Sequence, residues 1–287
     1  MPDTVPNKKF DKNITRQHFE KAAESYDAAA VLQLEIAKRM GQRLEYIKLQ
    51  PEAVLDAGCG TGFITKDLLK RYPKSKIIAL DLALNMTRKT KEQGGWLRKP
   101  KLICADAEQL PLKDKSVDLL VSNLMIQWSN DLGKMFAGFH SVLKPNGLLL
   151  FTTFGPDTLK EMRESWSSVD NTPHTSSFVD MHEIGDALLK AGFINPVTDM
   201  ELITMTYSNV RQLMKDIKEI GASNTDSGRS KGLMGKEKLK AFEKAYEQFK
   251  TTDGLYPASW EVIYGHAWVG EGLKLEGFEK FIPIHPV

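Results

Sequence analysis

Three short apolar runs, each ending on an acid, constrain this chain more than any other feature. Ala53-Val-Leu-Asp-Ala-Gly-Cys-Gly-Thr-Gly62 passes from apolar residues through Asp56 to glycines at alternate positions, Gly58, Gly60 and Gly62. Lys76-Ile-Ile-Ala-Leu-Asp81 and Lys101-Leu-Ile-Cys-Ala-Asp106 repeat the ending. Continuous runs of this length predict strands buried on both faces (53–58, 76–81, 101–105), and the segments between them, 62–72 and 84–93, have helical spacing. Strand and helix in alternation make an α/β fold: a mostly parallel sheet with helices on both faces, binding ligands beyond the carboxyl ends of its strands.

The glycine turn suits a nucleotide-like cofactor, because a ligand can lie against a chain that lacks Cβ atoms. A dinucleotide fingerprint is G-x-G-x-x-G. Here the third glycine comes one residue early and Phe63 takes its place. That spacing fits S-adenosylmethionine better, since this cofactor has no pyrophosphate to cradle. Asp81, at the end of the second strand, is placed to accept from ribose hydroxyls. Asp106 can accept from the adenine amino group while the Ala107 amide donates to a ring nitrogen. Singly, each acid also fits a solvated strand end, and the glycines a tight turn. The regular recurrence carries the argument.

Val117–Ser122 reads as a fourth strand, 131–143 as a helix, Lys144-Pro-Asn-Gly147 as a turn and 148–154 as a fifth strand. This places Asn123, Gln127, Trp128 and 152–155 near the reaction centre. An insertion (155–179, with a helix over 157–169) precedes a helix over 180–191 closed by Gly192, and strands over 196–206 and 260–268. Asn13–Leu49 reads as helical, either an amphipathic pair packed on the core or a cover over the cofactor. Tyr26 and Gln33 are its polar members and candidates to face the cofactor's methionine end. Between the last two strands, 207–257 is far longer than a hairpin needs. Val210, Leu213, Met214, Ile217 and Ile220 mark one helix, and Leu239, Phe242, Tyr246 and Phe249 another. The expected organisation is a helical cover (1–50), a cofactor-binding core (51–206), a helical lid (207–257), a last core strand (258–269) and a tail (270–287).

Lys plus Arg exceeds Asp plus Glu by 39 − 37 = 2, which gives no electrostatic drive toward nucleic acid or membrane. Two cysteines, Cys59 and Cys104, without a disulfide framework suit a reducing cytoplasm. No run approaches a membrane span, and Met1–Lys12 has no signal core and reads as a polar, frayed end. His182-Glu183 lacks a second histidine four residues on, so no metal is expected. Residues 229–244 hold Arg229 and Lys231, 236, 238, 240 and 244 against Glu237 and Glu243. This is either a solvated face or a docking surface for an acidic partner. Arg211, Lys218 and Arg229 are candidates to recognise a substrate carboxylate. His140, His174 and His266 each read more readily as structural than as a base, and no general base is assigned.

Asp56-Ala-Gly-Cys-Gly-Thr-Gly62, Asp81 and Asp106-Ala-Glu-Gln-Leu-Pro111 resemble the class I S-adenosylmethionine-dependent methyltransferases. That resemblance implies a seven-stranded Rossmann-like sheet and a cofactor set of Tyr26, Gln33, Asp56, Gly58, Gly60, Gly62, Asp81, Leu82, Met86, Asp106, Ala107 and Asn123. Phe19–Tyr26 with Leu32-Gln33, Ser122-Asn-Leu-Met-Ile-Gln-Trp128, Phe151–Thr153, Trp166–His174, Lys218–Ala222, Gly228-Arg229 and Tyr256-Pro257 with Tyr264 resemble the malonyl-acyl-carrier-protein O-methyltransferases of biotin synthesis. This second resemblance covers about residues 14–269. It implies methyl-ester formation on the free carboxylate of a malonyl thioester, on acyl-carrier protein or coenzyme A, with the acidic carrier docking on the basic lid. The substrate-positioning candidates are then Tyr26, Gln127, Trp128, His174 and Arg229. The competing readings are a relative of the mitochondrial complex I assembly factor linked to arginine hydroxylation, a small-acid O-methyltransferase, and a non-catalytic cofactor-sensing partner.

Overall fold

The structure, a computed structural model, describes residues 10–96, 98–170, 172–225 and 235–271. Its centre is a seven-stranded sheet in the order β3-β2-β1-β4-β5-β7-β6. The strands are β1 (Ala53–Ala57), β2 (Lys76–Asp81), β3 (Lys101–Cys104), β4 (Val117–Asn123), β5 (Leu143–Phe154), β6 (Phe193–Tyr207) and β7 (Tyr256–Val269). β1 to β5 are parallel, and β7 runs antiparallel between β5 and β6. The order reverses between β1 and β4, the switch point where such sheets open a crevice.

The helices are α1 (Lys12–Ala22), α2 (Tyr26–Ala29), α3 (Val31–Arg43), α4 (Phe63–Arg71), α5 (Leu84–Glu92), α6 (Leu132–Val142), α7 (Lys160–Ser167), α8 (Met181–Lys190), α9 (Val210–Glu219) and α10 (Lys236–Tyr246). Neighbouring residues along a strand enter opposite cores, as the pleat dictates. Leu55 and Leu149 pack with Phe136, Phe139 and Leu188 under α6 and α8, whereas Val54 and Leu148 pack with Met40 and Leu68 under α3 and α4. A third core joins Phe154, Trp166, Leu213, Phe242, Tyr246 and Trp260 where α7, α9 and α10 meet β5 and β7. The two expected lid helices are therefore built into a core of their own.

Several boundaries differ from the sequence expectation for visible reasons. The single helical stretch over 13–49 is three helices plus a short 3-10 turn. It breaks where Ser25 donates through its hydroxyl to the Glu219 carbonyl at 3.0 Å, a contact made across the fold. The turn at Lys144–Gly147 is a wide bulge inside β5. Val117 pairs with Leu143 but Leu119 with Leu148, and Asn146 takes a left-handed φ of 62°. The helix expected over 157–169 is only α7, because Leu159 sits at φ 56° and turns the chain before it. β6 and β7 are longer than expected, at 15 and 14 residues, because each is paired along nearly its whole length. No helix among the described residues is long and apolar enough to cross a membrane.

Candidate active site

The glycine turn is held by the strand beside it. The Gly58 and Cys59 amides both donate to the Leu80 carbonyl, at 2.7 and 2.9 Å. The Gly60 amide donates to Asp81 Oδ2 at 2.9 Å and the Ala83 amide to Oδ1 at 2.8 Å. Asp81 thus ties the turn after β1 to the start of α5. The three glycines take φ of 79°, 54° and 94°, the left-handed region that penalises a Cβ. A Cβ on Gly58 would stand 2.4 Å from Met125, and one on Gly62 2.7 Å from Gln93. At Gly60 it would meet nothing within 4 Å. Gly60 is therefore the glycine that faces open space.

That space is a cavity of about 720 Å³ beyond β1, β2 and β4, lined among others by Gly58, Gly60, Asp81, Leu82, Met86, Asp106, Ala107, Asn123 and Tyr26. Most of the expected cofactor set thus meets in one place. Asp56 and Gly62 stand behind the turn. Asp56 is 1 % exposed and accepts from Thr65 Oγ1 at 2.5 Å through Oδ2, while its Oδ1 and the Thr61 hydroxyl have no hydrogen-bond partner among the described residues. Burial pushes the Asp56 carboxyl up to about 7 and the Asp81 carboxyl up to about 6. Burial, followed by the Asp81 charge, raises the Tyr26 phenol well above its ordinary value. Gly60 thus offers bare backbone to this cavity, and Asp81 and Asp106 bring carboxylates to its wall.

A second cavity of about 770 Å³ adjoins the first and shares Phe19, Tyr26, Leu124 and Trp128 with it. Gln127, His174, Phe154, Met162, Phe178 and Trp260 are among its other walls. Leu124 carries a left-handed φ of 49°, locked by its amide donating to the Thr152 carbonyl (3.1 Å) and hydroxyl (3.0 Å). The Gln127 side-chain amide donates to the Leu124 carbonyl at 2.7 Å, and its oxygen accepts from Thr153 Oγ1 at 3.3 Å. Trp128 packs against Phe10 and Phe19, with ring centroids 5.6 and 5.4 Å apart. His174 stacks on Trp166 at 3.8 Å, and Trp166 stacks in turn on Phe242 of α10 at 4.1 Å. His174 Nε2 and Lys238 Nζ each contact the Asp170 carboxylate at 2.8 Å. Lys238, with Thr172 and His174, holds that carboxyl well below the usual carboxylate range.

Some expectations need correction. Gln33, expected on the cofactor, lines only the second cavity of this pair. Arg211 is exposed and pairs with Glu243 of α10 (Nη2 to Oε2, 3.1 Å), Lys218 is also exposed, and neither lines either of these two cavities. Arg229 and Lys231 lie outside the described residues. His140 packs edge-on against Phe193, a structural role. The sequence reading also missed Lys12, which it placed in a frayed end. Lys12 Nζ pairs with Asp106 at 3.1 Å and Glu108 at 3.0 Å and lines the cofactor cavity. Beside it, Phe10 exchanges hydrogen bonds with the Asn130 side chain at 2.6 and 3.0 Å. No local pattern marked these residues, because their partners lie about a hundred positions away.

Residues 55–151 match a family described as a methyltransferase domain. A malonyl-acyl-carrier-protein O-methyltransferase of Gallionella capsiferriformans is 50% identical over 265 residues, covering 90% of this chain and 91% of the relative. One from Laribacter hongkongensis is 45% identical and covers 96% of each. This chain belongs to that family. It is a class I, S-adenosylmethionine-dependent methyltransferase, and the family fold extends further. The YcgJ protein of Bacillus subtilis superposes with a TM-score of 0.58 at 16% identity, covering 81% of this chain and 98% of that one. A phosphoethanolamine N-methyltransferase of Haemonchus contortus, solved with S-adenosylhomocysteine, superposes at 0.52 and 17% identity, covering 94% of this chain and 62% of that one.

Proposed function

We propose that this enzyme methylates the free carboxylate of a malonyl thioester, carried on acyl-carrier protein or coenzyme A, to give the methyl ester that enters biotin synthesis in the cytoplasm. The observation that carries this reading is the junction of the two cavities at Phe19, Tyr26, Leu124 and Trp128, where an acid-floored cofactor site opens onto a mainly apolar chamber. Family membership at 50% identity supports the same substrate.

When bound, S-adenosylmethionine supplies a methyl group on a sulfonium that leaves as a neutral thioether. A malonyl carboxylate is already ionised at neutral pH, so the chain has no proton to remove and needs no general base. Its work is positioning and exclusion of water. Phe154, Phe178, Met162 and Trp260 strip water from the chamber. Gln127, tied to Leu124 and Thr153, keeps its polar edge fixed. Tyr26 and Trp128 stand at the junction, and His174, held by Asp170, presents its ring to the carboxylate side. Arg229 remains the candidate cation for that carboxylate. The division into cover, core, lid and tail follows the same logic, with 207–257 as the lid. The cations of α10 form the docking face for an acidic carrier.

The test is incubation with labelled S-adenosylmethionine and malonyl-carrier protein, then malonyl-coenzyme A. Labelled methyl ester on at least one thioester is the expected result, and none on either sinks the proposal.

A further inference from the structure

A groove of about 1370 Å³ runs along the outer side of residues 156–178. His174, Thr175, Ser176 and Phe178 line both this groove and the inner chamber. Outer groove, chamber and cofactor cavity therefore lie in a row, with His174 at the first boundary and Tyr26 at the second. A substrate whose reacting end must reach the cofactor while its other end stays attached to a carrier needs such a row.

We propose that the outer groove binds the 4′-phosphopantetheine arm of the substrate, an inference that rests on the malonyl-thioester reading above. The arm is a thin, flexible chain of methylene groups, two amides and a hydroxyl, charged only at its phosphate end. The groove matches it. Thr175, Ser176 and Ser177 supply hydroxyls, and the Phe178 and Trp166 rings supply apolar wall. Its charged side chains are already engaged. Arg163 donates to the carbonyls of Thr158 and Pro156 at 3.1 and 2.5 Å, and Asp170 is paired with Lys238 and His174. The Asp170 charge is thus balanced by Lys238, while Arg163 keeps its charge but is anchored by two carbonyls, so the walls offer an amide chain hydrogen bonds beside one fixed cation. Lys238, more than half exposed on α10, stands beside Asp170, while Lys236, Lys240 and Lys244 share another side of the same helix. That second side is where an acidic carrier would meet α10. His174, fixed by Asp170 and clamped on Trp166, stands between the groove and the chamber.

The discriminating variant is Ser177→Trp, since Ser177 lines the groove and not the chamber. Wild type and variant are compared on malonyl-coenzyme A, which has the arm, and on a malonyl thioester of a short thiol, which lacks it. The ratio of the two KM values is expected to rise about tenfold in the variant, with turnover of the short thioester showing that the protein is folded. In parallel, 4′-phosphopantetheine alone should bind wild type in calorimetry and lose that binding in the variant. An unchanged KM ratio, or equal binding of phosphopantetheine by both proteins, overturns the proposal. If wild type binds phosphopantetheine at the groove but methylates neither thioester, the groove stands and the malonyl reading falls.

Discussion

At the residue scale, the buried acids give the site a pH signature. Asp56 and Asp81 are held near 7 and 6, against an ordinary value of 3.8. Between these limits the folded protein keeps protons that the unfolded chain has lost. Their contribution to stability is therefore full below about pH 4 and is lost as pH rises through 6 and then 7. Denaturant unfolding without cofactor should show stability falling between about pH 4 and pH 7, and Asp56→Asn should flatten the upper part of that slope. A wild-type slope of the opposite sign would mean that other groups dominate. The glycines divide by what surrounds them. Gly58→Ala combines a left-handed φ with a clash at 2.4 Å against Met125. It should cost more than the ~1–2 kcal/mol of the backbone strain alone and lower the melting temperature. Gly60→Ala meets no protein atom, so it should cost about that strain alone and weaken cofactor affinity more than stability.

At the scale of elements, the cover over the cofactor is held by contacts between distant segments. Both Glu20 carboxylate oxygens, on α1, accept from the first amides of α5, those of Leu84 and Asn85, at 2.6 and 2.9 Å. Thr15 and Thr225 share a buried hydroxyl contact at 3.0 Å. Glu20 acts as a capping group supplied by another helix, so Glu20→Ala should cost about 1 kcal/mol of stability. Because it loosens α1 beside Thr15 and Phe19, it should also speed cofactor dissociation. A stopped-flow off-rate equal to wild type would remove Glu20 from the closure. The elements themselves were largely legible. The second strand was expected over 76–81 and lies there, and the helices of the Rossmann half shift by a residue or two, since buried runs and helical spacing are local signals. The break at Ser25 and the bulge at 144–147 were not legible, because a contact to Glu219 and the register against β4 decide them.

For the whole molecule, the cofactor cavity is enclosed by the glycine turn, the ends of β2 and β4, α1 and the segment after β4, so a ligand there bridges parts of the chain that separate on unfolding. S-adenosylhomocysteine at a hundred times its Kd should add about 2.7 kcal/mol. In a chain of this size that should raise the melting midpoint by roughly 5–10 °C. A thermal scan at graded ligand concentrations checks this, and no shift would mean that the folded chain does not bind the ligand.

The sequence by itself determined the sheet, the glycine turn and the acids at the strand ends, hence the cofactor class, because each depends on residues adjacent in the chain. It also carried, through resemblance, the substrate family. Only the tertiary structure decided that Lys12 reaches Asp106, that Gln33 faces the chamber rather than the cofactor cavity, that Arg211 is spent on Glu243, and that His174 is clamped between Asp170 and Trp166. Each of those outcomes depends on where a side chain meets a partner far along the chain. No local periodicity encodes such a meeting; it follows from how α1, α7, α9 and α10 pack around the open end of the sheet.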